Sequence, residues 1–266
     1  MTDATFDIAA HLDEVADMVR SASVLSLEWY RQIDNRIDNK ASAGFDPVTE
    51  ADRAVESDLR RRLSERFPGH AILGEEFGTT GGGRYRWIID PIDGTRAFIT
   101  GQPMWGTLLG FQDEGRPVAG WMHVPPLNES YVGHTECSFI TADARRTVTV
   151  SGTTALAEAT LLCTHPTMFA AGWEAAAFAE LADQVKLVRY SGDCLNYGLL
   201  AMGLADLVVE NQLANYDILP LIPIIESAGG IVTDLDGKLP VDGGFVVAAA
   251  TGELHDAALG MLNANR

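Results

Sequence analysis

The stretch WIIDPIDGTRAF, residues 87–98, brings a short apolar run directly to two aspartates. The apolar run at 87–89 predicts a strand that is buried on both faces. Pro91 lacks an N–H group, so we expect it to end the hydrogen-bonded ladder and to turn Asp90 and Asp93 towards one cavity. Two carboxylates in such a place are costly to remove from water unless a cation neutralises them. The stretch therefore predicts a cation site at the end of a buried strand.

The residues after Asp93 predict an anion site beside these carboxylates. Gly94 and Thr95 are expected to open a helix whose free N–H groups and positive dipole end favour an anion. Oxygen ligands suit hard divalent cations, above all Mg²⁺, which keeps waters and substrate phosphate oxygens in its shell. Together these features predict hydrolysis of a phosphate ester by metal-activated water. An isolated D-x-x-D is more often a turn with a helix cap, so the rest of the chain must decide.

Composition limits the classes of partner. The chain has 266 residues, 47% of them hydrophobic, which is enough for one large domain or two smaller ones. Its formal net charge of −18 argues against nucleic acid or an anionic membrane as a partner. An anionic small substrate is compatible with this charge if metal cations line its site.

The cysteines and the N-terminal sequence predict a cytoplasmic protein. Cys137, Cys163 and Cys194 are odd in number and far apart, which favours reduced thiols over a disulfide framework or a zinc site. The acidic start, MTDATFDIAAHLDEV, lacks the apolar region of a signal peptide. No stretch approaches the roughly 18 apolar residues of a membrane helix.

Periodicity predicts an α+β first half, residues 1–144, which carries an antiparallel sheet. Helices are expected over 6–32 and 50–66 with a polar loop between them, and GTTGGG at 78–83 favours a linker-like loop. The predicted strands are AILGEE, WII, TLLGFQ, VAGWMHV and ESYVGH.

The second half, residues 145–266, alternates strands and helices and is predicted to be α/β, with Asp217 at the start of a helix. The predicted strands are ATLLCT, QVKLVRY, ADLVVE, GGIVTDL and GFVVAAA, and the predicted helices are 173–184, 193–203, 216–228 and ELHDAALGML.

Several motifs together resemble the inositol monophosphatase family of Mg²⁺-dependent phosphatases. They are DPVTEAD at 46–52, GEE at 74–76, WIIDPIDGTRAF, YDILPLIPIIESAGG at 216–230 and GGIVTDLDGK at 229–238, and they span nearly the whole chain. The resemblance implies a layered αβαβα sandwich, a homodimer and on the order of two or three Mg²⁺ ions per active site.

The resemblance also assigns the metal ligands, most of them to residues 1–144, and it places Asp217 and the substrate-binding residues in 145–266. Glu75, Asp90 and Asp93, with the Ile92 carbonyl, would hold the first metal. The second metal would be held by Asp90, Asp93 and Asp217. Glu76 matches the second Glu of GEE and is expected to lie behind the direct ligands.

By the same resemblance, Asp46 and Thr95 match the pair that orients and deprotonates the attacking water, with Thr49 close by in the same segment. Gly94, Thr95 and Arg96 would cradle the phosphate. Lys40 lies in the loop that closes over the metals in the family. Because the length of this loop varies, which of its residues reaches the third metal stays open.

Within the family, DGTRAFITGQPMWGTLLG at 93–110 and RYSGDC at 189–194 are closest to the histidinol-phosphate phosphatase branch. Histidinol phosphate carries an ammonium group and an imidazole, so its pocket should offer carboxylates. Asp193 and Glu210 are the candidates, with Arg189 beside them as a further substrate-binding residue. An equally simple interpretation of Asp193 is a helix N-cap.

Three functions therefore stay open. The first is hydrolysis of histidinol phosphate, a small phosphorylated metabolite. The second is hydrolysis of another small ester by the same fold, such as an inositol phosphate, a nucleotide 3′-phosphate or fructose bisphosphate. The third is a non-catalytic metal- or ligand-binding homologue, which the competent residues at every metal position disfavour.

Overall fold

The structure is a computed structural model, which describes residues 6–32 and 50–264 in full, 37–39 and 47–49 as strand backbone, and residue 266. Near the N-terminus, α1 (Leu12–Ser23) lies between two 3₁₀ segments, Ile8–His11 and Val24–Glu28. One continuous helix over 6–32 was therefore wrong. Serine hydroxyls mark the change, because Ser23 Oγ donates to Arg20 O at 2.9 Å and competes for a backbone acceptor.

The larger sheet has eight strands within the described residues, in the order β10-β9-β8-β7-β6-β5-β3-β4. All neighbouring strands are antiparallel except the pair β3 and β5. A separate antiparallel pair is formed by β1 (Ile37–Asn39) and β2 (Pro47–Thr49). The eight strands are β3 (Ala71–Gly74), β4 (Gly78–Thr80), β5 (Tyr85–Asp93), β6 (Gly106–Asp113), β7 (Arg116–Val124), β8 (Glu129–Gly133), β9 (Cys137–Ile140) and β10 (Arg145–Val148).

The smaller sheet has five strands in the order β12-β11-β13-β15-β14. Strand β11 is parallel to both of its neighbours, β12 and β13, whereas β15 is antiparallel to both of its neighbours, β13 and β14. The smaller sheet is therefore mixed. The strands are β11 (Thr160–Cys163), β12 (Leu187–Tyr190), β13 (Leu207–Leu213), β14 (Ile231–Thr233) and β15 (Gly244–Ala249).

The remaining helices complete five layers. They are α2 (Glu50–Arg66), α3 (Thr95–Ile99), α4 (Trp173–Gln184), α5 (Leu195–Ala201), α6 (Asn215–Ile218), α7 (Leu221–Ser227) and α8 (Gly252–Asn263). Helices α1 and α2 pack their apolar faces on one side of the larger sheet. Helices α5 and α7 are buried between the two sheets, and α4 and α8 cover the far side of the smaller one. The predicted αβαβα sandwich is confirmed.

The strand that carries the two aspartates runs further than expected. Asp90 pairs with Leu108 and Asp93 with Gly106, so β5 carries one more residue than β6 between these pairs. Pro91 lies in this bulge, where the ladder does not require its missing N–H group. The expectation that Pro91 ends the ladder was wrong, and the bulge instead turns the aspartates out of the ladder.

A row of glycines allows the helix after Asp217 to lie close against the larger sheet. Gly110, Gly120 and Gly133 are neighbours across β6, β7 and β8. A Cβ atom at Gly120 would lie 1.9 Å from the carbonyl oxygen of Pro220. The predicted single helix over 216–228 is interrupted at Leu219 and Pro220, which separate α6 from α7.

Other predicted boundaries differ mainly at the edges of the sheets. The predicted linker at 78–83 begins with β4, and the expected polar loop before α2 contains β1 and β2. Strands β9 and β10 were not predicted. Strand β10 gave no signal because it is mostly exposed and has no apolar alternation. In the described part of the chain, no helix combines the length and the apolar character needed to cross a membrane.

Candidate metal centre and substrate pocket

A cavity of about 310 Å³ opens where β5, β11 and β13 end and where α3, α5 and α6 begin. This volume lies at the lower end of the range for small-molecule sites. The predicted residues that line it are Glu75, Asp90, Ile92, Asp93, Gly94, Thr95, Arg96, Asp193, Glu210 and Asp217. The fold therefore brings together residues that are far apart in the sequence.

Three aspartates form a compact cluster at the base of the cavity. One carboxylate oxygen each from Asp90, Asp93 and Asp217 lies within 4.8 Å of the others. The backbone holds two of these side chains: the Cys194 N–H donates to Asp93 Oδ2 at 2.6 Å, and the Ala214 N–H donates to Asp217 Oδ2 at 2.8 Å. Asp217 occupies the first turn of α6 and receives its hydrogen bond there.

Asp90 is the most deeply buried of the three, with 2% of its surface exposed. Its Oδ1 atom is buried and has no hydrogen-bond partner among the described residues. Buried carboxylate oxygens normally have a partner, because desolvation of an unpaired one is costly. An orphaned acceptor among other carboxylates is what a cation site presents.

The electrostatics of the cluster support the same conclusion. Burial, followed by repulsion from Glu75 and Asp93, raises the pKa of Asp90 well above its usual range. Burial and the Asp217 charge do the same to the pKa of Asp93. Burial raises the pKa of Asp217 to about 6. A divalent cation relieves this repulsion, and an all-oxygen donor set fits Mg²⁺.

The start of α3 forms the side of the cavity next to the cluster. Gly94 precedes the helix with φ of 85°, a left-handed conformation that favours glycine. The Thr95 hydroxyl donates to the Ile92 carbonyl at 3.1 Å, which places it against a predicted metal ligand. Arg96 is exposed at the mouth of the cavity.

Asp193 lies directly against this loop. A Cβ atom at Gly94 would lie 3.1 Å from the Asp193 side chain. The Asp193 N–H donates to Thr164 Oγ1 at 3.0 Å, and its φ is 44°. Burial, and then the charge of Glu210, raises the pKa of Asp193 to about 7, against the opposing effect of Arg96. The N-cap interpretation was wrong, because Cys194 occupies the N-cap of α5.

Glu210 lies deeper and is already engaged by the protein. Its Oε1 accepts hydrogen bonds from the Thr164 N–H at 2.8 Å, from Thr164 Oγ1 at 2.7 Å and from Asn196 Nδ2 at 3.2 Å. Its Oε2 accepts one from the Tyr197 hydroxyl at 3.0 Å. Burial raises the pKa of Glu210, and these donors oppose the rise. Glu210 therefore ties the end of β11 to the first turn of α5.

Other predicted residues lie away from the cavity or outside the described residues. Arg189 is exposed on the edge strand β12 and is not among the described residues that line the cavity. The Glu76 side chain is 3% exposed, and its Oε2 lies 3.6 Å from Arg53 Nε. Lys40 and Asp46 lie outside the described residues. Thr49 is described only as backbone at the end of β2.

Sequence reasoning missed Thr164, Asn196 and Tyr197, the donors to Glu210. One signal was present, because a glutamate at the end of the apolar run ADLVVE needs buried donors. The identity of those donors was not predictable, since Thr164 lies 46 positions before Glu210 and meets it only through the pairing of β11 with β13.

Comparison with known proteins agrees with this geometry. The model of the Inositol monophosphatase family matches residues 9–265. The chain is 40% identical to a histidinol-phosphatase of Mycobacterium tuberculosis, over 91% of this chain and 94% of that protein. It is 33% identical to a histidinol-phosphatase of Streptomyces coelicolor, over 91% and 93%.

Among solved structures, an inositol monophosphatase from Zymomonas mobilis superposes with a TM-score of 0.84 at 34% identity. The match covers 97% of this chain and 99% of that one. The family match, the five-layer fold and the aspartate cluster all agree: the chain belongs to the inositol monophosphatase family.

Proposed function

We propose that this phosphoric monoester hydrolase acts on histidinol phosphate and depends on Mg²⁺. The observation that carries the proposal is a second acidic group, Asp193, in the same cavity as the aspartate cluster. A cavity that holds both a cation-binding cluster and a separate carboxylate suits a substrate that carries both a phosphate and an ammonium group. The 40% identical histidinol-phosphatase supports the same substrate.

The metal-binding residues follow the family pattern. Glu75, Asp90 and Asp93, with the Ile92 carbonyl, would hold one Mg²⁺, and Asp217 would join Asp90 and Asp93 around a second. When bound, Mg²⁺ supplies positive charge for the phosphate and lowers the pKa of a water molecule. A third ion is part of the family expectation.

Residues at the start of α3 would position the phosphate and the attacking water. Gly94 supplies the left-handed turn that opens the helix, and Arg96 adds a guanidinium at the mouth of the cavity. Thr95 holds its hydroxyl beside the Ile92 carbonyl, within the region where the water would lie. We propose that Thr95 and Asp46 orient and deprotonate this water, with Thr49 adjacent.

Asp193 is the better candidate for direct contact with the ammonium group. Its carboxylate lines the cavity, whereas both oxygens of Glu210 already accept hydrogen bonds from the protein. A substrate ammonium would stabilise the ionised form of Asp193. Glu210 adds negative charge behind it and holds Thr164, which in turn accepts the Asp193 N–H.

A second candidate function is hydrolysis of an inositol phosphate, because a relative at 34% identity is an inositol monophosphatase. An inositol ring carries no cation, so it gains nothing from a carboxylate at Asp193. The two substrates are distinguished by measuring kcat/KM for each with the same preparation in Mg²⁺.

The sharpest test of the substrate compares two esters in two variants. Asp193→Asn should lower kcat/KM for histidinol phosphate about tenfold to a few hundredfold, because a charge-assisted hydrogen bond to the ammonium group is lost. Glu210→Gln should lower it as well, because the negative charge behind Asp193 is lost. The generic ester p-nitrophenyl phosphate has no ammonium group and should lose little. Equal losses for both esters would refute these recognition roles, since damage to the metal cluster affects both alike.

The proposal includes a homodimer, which the family resemblance supports. Light scattering at several protein concentrations measures the mass in solution directly. A monomer mass near 28.6 kDa at all concentrations would rule out this part of the proposal.

A further inference from the structure

A buried charged pair outside the cavity contacts the turn that carries Glu75. Glu56 lies on α2, and its side chain has 0% of its surface exposed. Its carboxylate accepts the Arg60 Nε–H at 2.7 Å, one helical turn along α2. A buried charge of this kind is stable only when it is paired and hydrogen-bonded.

The other hydrogen bonds of Glu56 go to the backbone of the turn between β3 and β4. The Glu76 N–H donates to Oε2 at 2.7 Å, and the Phe77 N–H donates to Oε1 at 3.2 Å. Both donors come directly after Glu75. The carboxylate therefore holds the backbone on the C-terminal side of a predicted metal ligand.

Arg60 contacts the far side of the same turn. Its guanidinium donates to the Gly78 carbonyl and to Thr80 Oγ1, the latter at 3.0 Å. The guanidinium is 13% exposed, so these bonds are partly shielded from water. Glu56 and Arg60 together fix the turn at residues 76, 77, 78 and 80.

The residue before Glu75 is shaped to admit this pair. A Cβ atom at Gly74 would lie 2.0 Å from Glu56 Oε1, so only glycine leaves room for the carboxylate. The Glu75 N–H donates to the Ile89 carbonyl at 3.3 Å, directly before Asp90 on β5. The backbone around Glu75 is thus held from α2 on one side and from the aspartate strand on the other.

We propose that Glu56 and Arg60 are positioning residues that hold Glu75 at the distance from Asp90 that Mg²⁺ binding requires. The proposal rests on the proposed Mg²⁺-dependent function. Stability alone does not explain the pair, because well-packed apolar residues of similar volume often stabilise a protein as much as a buried ion pair does. Groups that orient metal ligands are typically worth about tenfold to a hundredfold in metal affinity.

The test is calorimetric titration of Mg²⁺ into EDTA-treated, dialysed protein. Glu56→Gln keeps the volume of the side chain but offers its amide N–H groups to donors of the turn. It should raise the Kd for Mg²⁺ about tenfold to a hundredfold. The rate with p-nitrophenyl phosphate should recover in part at saturating Mg²⁺, because the direct ligands are intact.

Glu65→Gln is the matched control. Glu65 also accepts from an arginine one turn away on α2, since Arg61 Nη1 lies 3.1 Å from Glu65 Oε2, but both side chains are exposed. This control should leave the Kd for Mg²⁺ unchanged. If Glu56→Gln does not fold, Arg60→Lys keeps the charge and loses the bonds to Gly78 and Thr80, and a several-fold rise in Kd is expected.

The outcomes separate this proposal from the proposed function. If the wild type binds Mg²⁺ and a folded Glu56→Gln or Arg60→Lys variant binds it with the wild-type Kd, the positioning role is overturned and the function stands. A lower melting temperature with an unchanged Kd also overturns it, because that result describes a purely structural pair. If the wild type binds no Mg²⁺, the function and the positioning role both fail.

Discussion

Two buried carboxylates in the cavity show opposite hydrogen-bonding states. Glu210 accepts four hydrogen bonds from neighbouring residues, whereas Asp90 Oδ1 has none from the described residues. Burial costs a carboxylate free energy that donors can offset. Glu210 therefore behaves as part of the scaffold, and the Asp90 Oδ1 atom retains its capacity to bind a cation.

The first prediction concerns Asp90. Asp90→Asn should lower activity by more than about a hundredfold and weaken Mg²⁺ binding, because a charged ligand is lost. The same change should raise the melting temperature in EDTA, because it removes one of several mutually repelling buried carboxylates. Activity assays and calorimetry with and without EDTA measure both effects.

Asp256→Asn is the control for Asp90→Asn, because the Asp256 side chain is 88% exposed. Asp256→Asn should change neither Mg²⁺-dependent activity nor the melting temperature in EDTA. A lower melting temperature for Asp90→Asn in EDTA would show that Asp90 stabilises the metal-free fold, contrary to the electrostatics described above.

The second prediction concerns Thr95. Thr95→Ala should lower kcat on the order of 10²- to 10⁴-fold with little change in KM, because its hydroxyl is assigned to a water that matters mainly in the transition state. Thr100→Ala is the matched control, since Thr100 Oγ1 donates to the Arg96 carbonyl at 2.7 Å on the same helix. An unchanged kcat in Thr95→Ala would remove Thr95 from the mechanism.

For individual residues, the sequence predicted which side chains belong to the site better than it predicted their hydrogen-bond partners. Asp90 and Asp93 were found because an apolar run ends in two acids. Asp217 was found from its position at the start of a predicted helix, and the family resemblance supplied its role as a metal ligand. The support of Asp93 by the Cys194 N–H could not be read from the sequence, because it joins residues 101 positions apart. Such contacts depend on how the two sheets meet.

Among the elements, the helices that follow Asp217 depend most on close packing. Gly120 and Gly133 let Pro220 and Ile224 approach the larger sheet closely, since a Cβ atom at Gly133 would lie 2.4 Å from Ile224 Cα. This contact holds the segment that follows α6, the short helix that carries Asp217, against the larger sheet. Long apolar elements such as α4 and β7 were predicted well, whereas short edge strands such as β4 and β10 were not, because they bury little.

The third prediction tests this packing. Gly120→Ala should lower the free energy of unfolding by about 3 kcal/mol or more, the upper part of the range for overpacking, because its Cβ would lie 1.9 Å from a backbone oxygen. Urea unfolding measures the change. Gly260→Ala in α8 is the control: apart from the backbone of its own helix and its chain neighbours, no described atom lies within 4 Å of its added Cβ, and the helix should gain up to about 1 kcal/mol. Equal effects in both variants would contradict the packing argument.

In the whole molecule, a shared apolar core joins the two sheets. Ile88 and Tyr131 of the larger sheet belong to the same buried cluster as Val208 and Val246 of the smaller one. The predicted division into residues 1–144 and 145–266 stays a prediction. The cavity draws its residues from both ranges, so activity depends on how the sheets are held together.

The fourth prediction concerns pH. Because the pKa values of Asp90, Asp93 and Asp217 are raised by folding, the metal-free folded state binds more protons than the unfolded state between about pH 4 and the raised values. The stability of the metal-free protein should therefore gain from this cluster as pH falls through about 6, the pKa of Asp217. Protons and Mg²⁺ compete for the same oxygens.

The difference in melting temperature between Mg²⁺ and EDTA should consequently grow as pH rises from about 5 to about 8. Buried histidines act in the opposite direction: burial lowers the pKa of His123 to about 4, so its contribution is lost as pH falls from about 6.5 towards that value. This effect is present with and without Mg²⁺ and cancels in the difference. A difference that shrinks with rising pH would contradict the assignment of the cluster.

The most direct test of the account is the rate of phosphate release from histidinol phosphate as Mg²⁺ is titrated into the EDTA-treated protein. We expect no release in excess EDTA, a saturable rise with Mg²⁺, and a higher kcat/KM than for inositol 1-phosphate under the same conditions. Undiminished release in EDTA would contradict the metal mechanism. A higher kcat/KM for inositol 1-phosphate would contradict the assignment of the substrate.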